Sequence, residues 1–152
     1  MDDLARQFID SVRVFVETRT PYVHRGTTLR GCDCTGMLIG ALHGFNKLKT
    51  YKLRKYPPDW NLHAGASDFI HEELLRVADD IPDDEASPGD ILLFRFGKCP
   101  AHAGVLIQGQ MFAHCHVHGK KCCYSMLNNS PWGKRWVGTM RLNSKKLERY
   151  DG

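Results

Sequence analysis

The sequence contains no apolar run that approaches the roughly 20 residues a helix needs to cross a bilayer, so we expect no membrane span. The N-terminal residues 1–6 are acidic and lack an uninterrupted apolar core, so we also expect no signal peptide. A clustered basic helix and zinc-finger spacing are missing too, and the net charge of +4 is mild. These absences give no support for a dedicated nucleic-acid site.

Internal repeats, low-complexity segments and an interdomain linker are also absent. The chain has 152 residues, of which 42% are hydrophobic and 25% are charged, as is ordinary for a soluble globular protein. A chain of this length buries about 68–70% of its unfolded surface in one core. We therefore expect residues 1–152 to form a single domain.

The cysteine content favours free thiols over a disulfide framework. Six cysteines would suit a small secreted scaffold, but a missing signal peptide and an adequate core favour a reducing compartment. The six are Cys32, Cys34, Cys99, Cys115, Cys122 and Cys123.

Helical periodicity dominates the first half of the chain. An apolar face that includes Leu4, Phe8 and Val12 predicts a helix over residues 3–18. A second helix is predicted over 34–46, where three glycines at four-residue spacing favour close packing against a sheet. A long polar loop over 47–63, a third helix over 65–78 and an acidic connector over 81–87 follow.

Strand-like periodicity dominates the second half. Helices first and strands afterwards indicate an α+β fold, with helix 34–46 packed on a five-stranded antiparallel sheet. The predicted strands cover residues 91–96, 102–108, 110–117, 122–126 and 136–142.

Cys34 opens the second helix, which is a favourable place for a nucleophile. The thiolate attacks, not the thiol, and the free amides of a helix N-terminus stabilise negative charge. This setting can lower a cysteine pKa to roughly 3.5–7.5. The sequence therefore predicts an activated Cys34.

Two histidines follow on neighbouring predicted strands. With a turn near residue 109, His102 and His114 lie within about two residues of direct opposition, so a contact is expected. Cysteine, histidine and a second polar residue, in this chain order, are a nucleophile, a base and an orienting group.

Several short motifs surround these residues. They are Thr20-Pro21-Tyr22, Gly31-Cys32-Asp33-Cys34-Thr35-Gly36, Pro88-Gly89-Asp90, His102-Ala103-Gly104-Val105 and Phe112-Ala113-His114. In this order and spacing they resemble the NlpC family of papain-like cell-wall cysteine peptidases. The resemblance covers about residues 20–142.

The resemblance implies a papain-like fold and a set of roles. Cys34 would be the nucleophile, His102 the general base and then acid, and His114 the group that orients His102. Tyr22 would help to position the substrate or the oxyanion, and the backbone amide of Cys34 would be an oxyanion donor. The implied substrate is a peptidoglycan stem peptide, with hydrolysis between D-γ-glutamate and the following diamino acid and no metal or organic cofactor.

Within that family, four segments look most like the wall peptidases of phage tails and gene transfer agents. Such a protein would be cytoplasmic during assembly and would later act at the cell envelope from a tail particle, with tail proteins as partners. The segments are Thr20-Pro21-Tyr22, the Gly-Cys-Asp-Cys stretch, Pro58-Asp59-Trp60 and the ending from Trp132 to Arg141.

Several alternatives stay open. His24, close to Tyr22, and Trp60, on its polar loop, are further candidates for substrate contact. The histidine- and cysteine-rich segment 114–123 contains residue types that bind zinc, but Cys-x2-Cys pairs are missing, so we expect no metal. Cys32 is interpreted as structural, with a redox role left open.

The function also has alternatives. The same fold could serve an amidase or acyltransferase on another substrate, or an idle tail-assembly or metal-binding module. Taken alone, Cys34 could be an ordinary buried cysteine, as free cysteines often are, but the spacing of both histidines and the tyrosine favours a nucleophile.

Overall fold

A computed structural model describes residues 1–54, 69–96 and 99–152. Trp60, most of the predicted loop 47–63 and the start of the predicted helix 65–78 lie outside the described residues. None of the described helices is both long and apolar enough to cross a membrane.

The first helix, α1 (Asp3–Glu17), forms as its periodicity predicts. Asp2 caps it, with a carboxylate oxygen 2.7 Å from the amide nitrogen of Ala5, which satisfies a free amide of the first turn. One face, including Phe8 and Val12, is buried in the core. The helix therefore covers one face of the sheet.

A six-stranded antiparallel sheet forms the centre of the fold. Its strands are β3 (Ala78–Ile81), β4 (Ile91–Phe96), β5 (Cys99–Gln108), β6 (Met111–Cys115), β7 (Cys122–Met126) and β8 (Trp136–Leu142). They lie side by side in the order β3-β8-β4-β5-β6-β7. The predicted five strands are all present, and three have the predicted bounds.

The prediction of five strands was wrong because β3 lies in residues predicted as a helix end and an acidic connector. The third helix, α3 (Phe69–Leu74), ends earlier than predicted, and Ala78 then pairs with Leu142 of β8. The exposed acidic residues of β3 are poor strand formers, but they suit the edge of a sheet, where charge discourages pairing with another chain. Pairing with β8 outweighs their weak local preference.

Two glycines of the second helix, α2 (Cys34–His43), face a small hairpin. The hairpin consists of β1 (Thr27–Thr28) and β2 (Gly31–Cys32). A Cβ atom added at Gly36 would lie 1.7 Å from the carbonyl oxygen of Gly26, and one at Gly40 would lie 2.2 Å from that of Thr27. The predicted close approach is present, but these two glycines face the hairpin backbone instead of the main sheet.

Both faces of the sheet are covered. The α1 and α2 side includes Ile91, Leu93 and Ala103 in one core cluster, while Leu92 and Phe94 belong to a second cluster on the other side. The second cluster is completed by Trp132 of α4 (Pro131–Arg135). The charged C-terminal segment also contributes to the core, because α5 (Ser144–Glu148) buries Leu147 fully.

Candidate active site

Asp33 fixes the start of the helix that carries Cys34. One carboxylate oxygen accepts a hydrogen bond from the amide of Gly36 at 2.8 Å, and the other accepts one from the amide of Arg25 at 2.9 Å. Asp33 is buried, so these bonds tie the preceding loop to the helix start in a low-dielectric setting. The backbone amide of Cys34 is left as one of the free amides of the first turn.

The Cys34 thiol is partly buried and lies against the backbone of β5. Its Sγ atom is 3.8 Å from the Thr35 hydroxyl. Burial, followed by the negative charge of Asp33, raises its pKa to about 12, against the opposing effect of the Ala103 and Thr35 amides. The expected low pKa is therefore wrong for this state, because desolvation and Asp33 outweigh the helix N-terminus, and the thiol is neutral.

His102 and His114 are in direct contact, as their spacing predicted. The Nε2 atom of His102 lies 2.8 Å from the Nδ1 atom of His114, and both residues are buried. His114 pairs with Gly104, two residues from His102, so the two rings share one face of the sheet. A Cβ atom on Gly104 would lie 2.8 Å from the carbonyl oxygen of Ala113, so glycine permits this approach.

A bulge lies immediately before His102. Phe94 pairs with His102 but Arg95 pairs with Pro100, which leaves Ala101 as the extra residue of β5. A bulge of this kind increases the local twist and redirects neighbouring side chains. It therefore helps to set the direction of the His102 ring.

The hydrogen-bond chain continues beyond the two histidines to Ser125. The Nε2 atom of His114 is 2.8 Å from the Ser125 hydroxyl oxygen on β7. If His102 is to accept a proton at Nδ1, its Nε2–H donates to His114 Nδ1, and His114 Nε2–H then donates to Ser125. Sequence reasoning missed Ser125, which only the β6–β7 register reveals.

Aromatic side chains enclose the histidine pair. The indole of Trp132 lies 5.2 Å from the His102 ring and 4.7 Å from the His114 ring, measured between centroids. Burial, followed by the neighbouring His114 and His116, holds the pKa of His102 well below its usual value. Burial and His116 likewise lower the pKa of His114 to about 3, so both imidazoles are neutral at pH 7.

The thiol and the base are not hydrogen-bonded in this state. Within the described parts of the chain, no hydrogen bond joins Cys34 Sγ to His102, and His102 Nδ1 makes none. Sγ lies against the amide of Ala103, the next residue after His102. The thiol and the base are thus carried by α2 and by the strand against which Cys34 packs.

Tyr22 lies beside the start of α2, as expected of a residue near the nucleophile. Its amide donates to the carbonyl of Lys120 at 2.8 Å, and it forms a bridge with Cys32. Burial, then the nearby Asp33 and Cys34, raises the pKa of the Tyr22 hydroxyl to about 12. Tyr22 is therefore a protonated hydrogen-bond donor at neutral pH.

The other candidate residues have different positions. The Nδ1 atom of His24 lies 3.9 Å from a carboxylate oxygen of Asp33, so His24 lies over the cap of α2. Trp60 lies outside the described residues. His116 shares the face of His102 and His114, with its ring centroid 5.0 Å from that of His102.

Comparisons with known proteins find relatives over most of the chain. The family model described as NlpC/P60 family matches residues 19–141. A probable endopeptidase of Haemophilus influenzae is 27% identical over 125 residues, which cover 81% of this chain and 66% of that protein. The probable peptidoglycan endopeptidase LytE of Bacillus subtilis is 28% identical over 124 residues, or 81% of this chain and 30% of LytE. The chain spans about two thirds and one third of the lengths of these two relatives.

Solved structures show the same fold. A Staphylococcus aureus protein superposes with a TM-score of 0.66 at 18% identity. It is described as similar to lipoprotein and of the NLP/P60 family, and the superposition covers 93% of this chain and 42% of that chain. RipD of Mycobacterium tuberculosis, described as a non-catalytic NlpC/p60 domain protein adapted to peptidoglycan binding, has a TM-score of 0.58 at 10% identity. It covers 93% of this chain and 98% of that chain.

Proposed function

Because the chain belongs to the NlpC/P60 family, we propose that it is a cysteine endopeptidase that hydrolyses amide bonds in peptidoglycan stem peptides. One observation carries the proposal: a partly exposed thiol at a helix start lies against a strand whose His102 is bound to a second buried histidine. The name of LytE, a probable peptidoglycan endopeptidase, supports the cell wall as the substrate.

The protonation states define the first half of the reaction. Cys34 starts as a thiol and His102 as a neutral imidazole, so His102 Nδ1 takes the thiol proton as Sγ attacks the carbonyl carbon. The developing oxyanion is stabilised by the free amide of Cys34 and by the hydroxyl of Tyr22. The proton on His102 then passes to the departing amine as the C–N bond breaks.

Water completes the reaction. The acyl group is now a thioester on Cys34, and His102, neutral again, takes a proton from the attacking water. The C–O bond forms, the C–S bond breaks, and the proton returns from His102 to the thiolate. His114 and Ser125 keep the proton on Nε2 of His102, so that Nδ1 remains the nitrogen that accepts.

The expected bond lies between D-γ-glutamate and the following diamino acid. This assignment rests on the family resemblance of the motifs around Cys34 and His102. Residues that would distinguish one stem peptide from another include Tyr22 and His24 near the start of α2.

The test is mass spectrometry of the soluble fragments released from purified Gram-negative peptidoglycan. The wild type should release fragments that end at D-glutamate, while Cys34→Ala and His102→Ala should release none. His43→Ala is the matched control, since this exposed histidine lies on the same helix as Cys34. Full hydrolysis by His102→Ala would refute the assigned base.

The same experiment separates the alternatives. Release of a different fragment that still depends on Cys34 would indicate an amidase or acyltransferase of the same fold. No release by a folded wild type would favour a non-catalytic module, as described for RipD. Alkylation of Cys34 by iodoacetamide in that case would show whether the thiol is accessible at all.

We further propose that the peptidase acts as a component of a phage tail or gene transfer agent. The support is the likeness of the Tyr22 and Cys34 motifs and of the segment from Trp132 to Arg141 to that subgroup. The protein would assemble in the cytoplasm and reach the envelope in the particle. Immunodetection in purified particles tests this role, and its presence solely as a free enzyme would refute it.

A further inference from the structure

Three buried thiols that the proposed reaction does not use converge on one point. They are Cys32 on β2, Cys115 on β6 and Cys122 on β7, and their sulfur atoms all lie within 4.8 Å of one another. The Sγ atoms of Cys32 and Cys122 are 3.4 Å apart, and the Cys115 thiol donates to the carbonyl of Cys32 at 3.3 Å. None of the three is more than 1% exposed.

The fold brings these residues together by two independent routes. Cys115 and Cys122 are direct partners in the β6–β7 register, so their side chains lie on the same face. Cys32 comes from the β1–β2 hairpin and faces them from the opposite layer of the core. The other face of β6 carries His114, so the cysteines and the histidines are separated by the sheet.

The spacing of the sulfur atoms suits a metal ion. Zinc–thiolate bonds are about 2.3 Å long, which places sulfur atoms around one ion roughly 3.8–4.0 Å apart. The observed separations, from 3.4 Å to no more than 4.8 Å, bracket that value. A disulfide would use two of the three sulfurs and would need them about 2.05 Å apart.

We infer that Cys32, Cys115 and Cys122 form a binding site for a soft cation that prefers thiolate ligands, with Zn²⁺ as the expected ion. Three sulfur ligands exclude hard cations such as Mg²⁺, which prefer oxygen. Each thiol gives up its proton when it ligates, so binding strengthens as the pH rises.

Such an ion would connect the two halves of the active site. Cys32 precedes the nucleophile Cys34 by two residues, and Cys115 directly follows His114. An ion held by all three cysteines would tie the hairpin before α2 to the strands that carry His114 and Ser125. The site would thus fix the position of the nucleophile relative to His114, which orients the base, whatever substrate the enzyme cleaves.

The experiment uses the full chain with Cys34→Ala, which removes the nucleophile as a competing thiol. The protein is purified with reductant, stripped with a chelator and titrated with Cd²⁺, whose thiolate complexes absorb in the ultraviolet, and then with Zn²⁺ in competition. We expect one ion per chain by elemental analysis and no binding of Mg²⁺. Saturating Zn²⁺ should raise the thermal midpoint by about 5 °C or more.

Variants locate the ligands. Adding Cys115→Ser or Cys122→Ser to that background should abolish stoichiometric binding, while Cys123→Ser, next to Cys122 but outside the cluster, should retain it. Circular dichroism checks that each variant is folded. If neither ligand variant folds, the number of sulfur ligands is measured on the parent by X-ray absorption.

Several results would overturn the inference. Binding that persists in folded Cys115→Ser and Cys122→Ser, or fewer than three sulfur ligands, would place the ion elsewhere. A folded parent that binds no Cd²⁺ or Zn²⁺ would show that the thiols are core packing. A disulfide between Cys32 and Cys122 in protein purified without reductant, with no metal taken up after reduction, would identify the cluster as a redox site.

Discussion

Lowering the pH from 8 to 5 should destabilise the protein through its buried histidine pair. The pKa of His114 is about 3 in the folded chain and about 6.5 in the unfolded chain. Stability from this residue is therefore fully present above pH 6.5 and is lost as the pH falls towards 3, because the unfolded chain binds a proton that the folded chain excludes.

The magnitude follows from linkage. Between pH 6.5 and 5 the loss is about 1.4 kcal/mol per pH unit, or about 2 kcal/mol for His114 alone. His102, whose pKa is lowered in the same direction, adds to this loss. The thermal midpoint should fall by about 4–8 °C from the His114 contribution. Above pH 5, Glu73, the buried carboxylate with a lowered pKa, remains ionised in both states.

The assay is urea unfolding followed by circular dichroism at pH 8, 6.5 and 5. His114→Gln should have a lower free energy of unfolding than the wild type at pH 8. Between pH 8 and 5, however, its free energy of unfolding should fall by about 2 kcal/mol less than that of the wild type. His43→Gln, at an exposed histidine, should follow the wild type. An equal pH dependence in the wild type and His114→Gln would refute the reasoning.

Two further predictions concern the hydrogen-bond chain and the helix start. Ser125→Ala removes the partner of His114 Nε2, so kcat should fall roughly tenfold while KM stays nearly unchanged. The pH profile of kcat should also shift. Ser125→Thr keeps a hydroxyl group and should restore part of the rate. An unchanged pH profile and kcat would show that Ser125 does not position His114. Gly36→Ala places a methyl group 1.7 Å from the carbonyl oxygen of Gly26 and should cost about 3 kcal/mol in urea unfolding. Gly119→Ala, whose nearest atoms are 3.5 Å away, is the control, and equal losses in both variants would contradict the packing argument.

The parts of the fold that were predictable depend on local patterns. Strands 91–96, 122–126 and 136–142 have the predicted bounds because short apolar runs end at turn residues. The start of α2 at Cys34 follows from Asp33, which is a strong N-cap residue. The contact between His102 and His114 follows from a short turn between neighbouring strands.

The parts that were not predictable depend on long-range pairing. Strand β3 forms because β8 offers it a partner, which its own acidic residues do not indicate. The contact of Ser125 with His114 depends on the register of β6 and β7. The contact of Cys32 with Cys122 depends on the position of the small hairpin relative to β7. No spacing rule within a single segment contains that information.

The protonation state of Cys34 was also beyond local reasoning, and it bears on how the site is activated. A helix N-terminus favours the thiolate, but burial and Asp33 act in the opposite direction and raise the pKa of Cys34, while burial lowers the pKa of His102. Because Asp33 also caps the helix, the residue that positions the nucleophile is one of the groups that hold it protonated. In the proposed mechanism the bound substrate therefore brings about the proton transfer from Cys34 to His102. On this mechanism the thiol reacts slowly with small alkylating reagents and fast with a bound stem peptide.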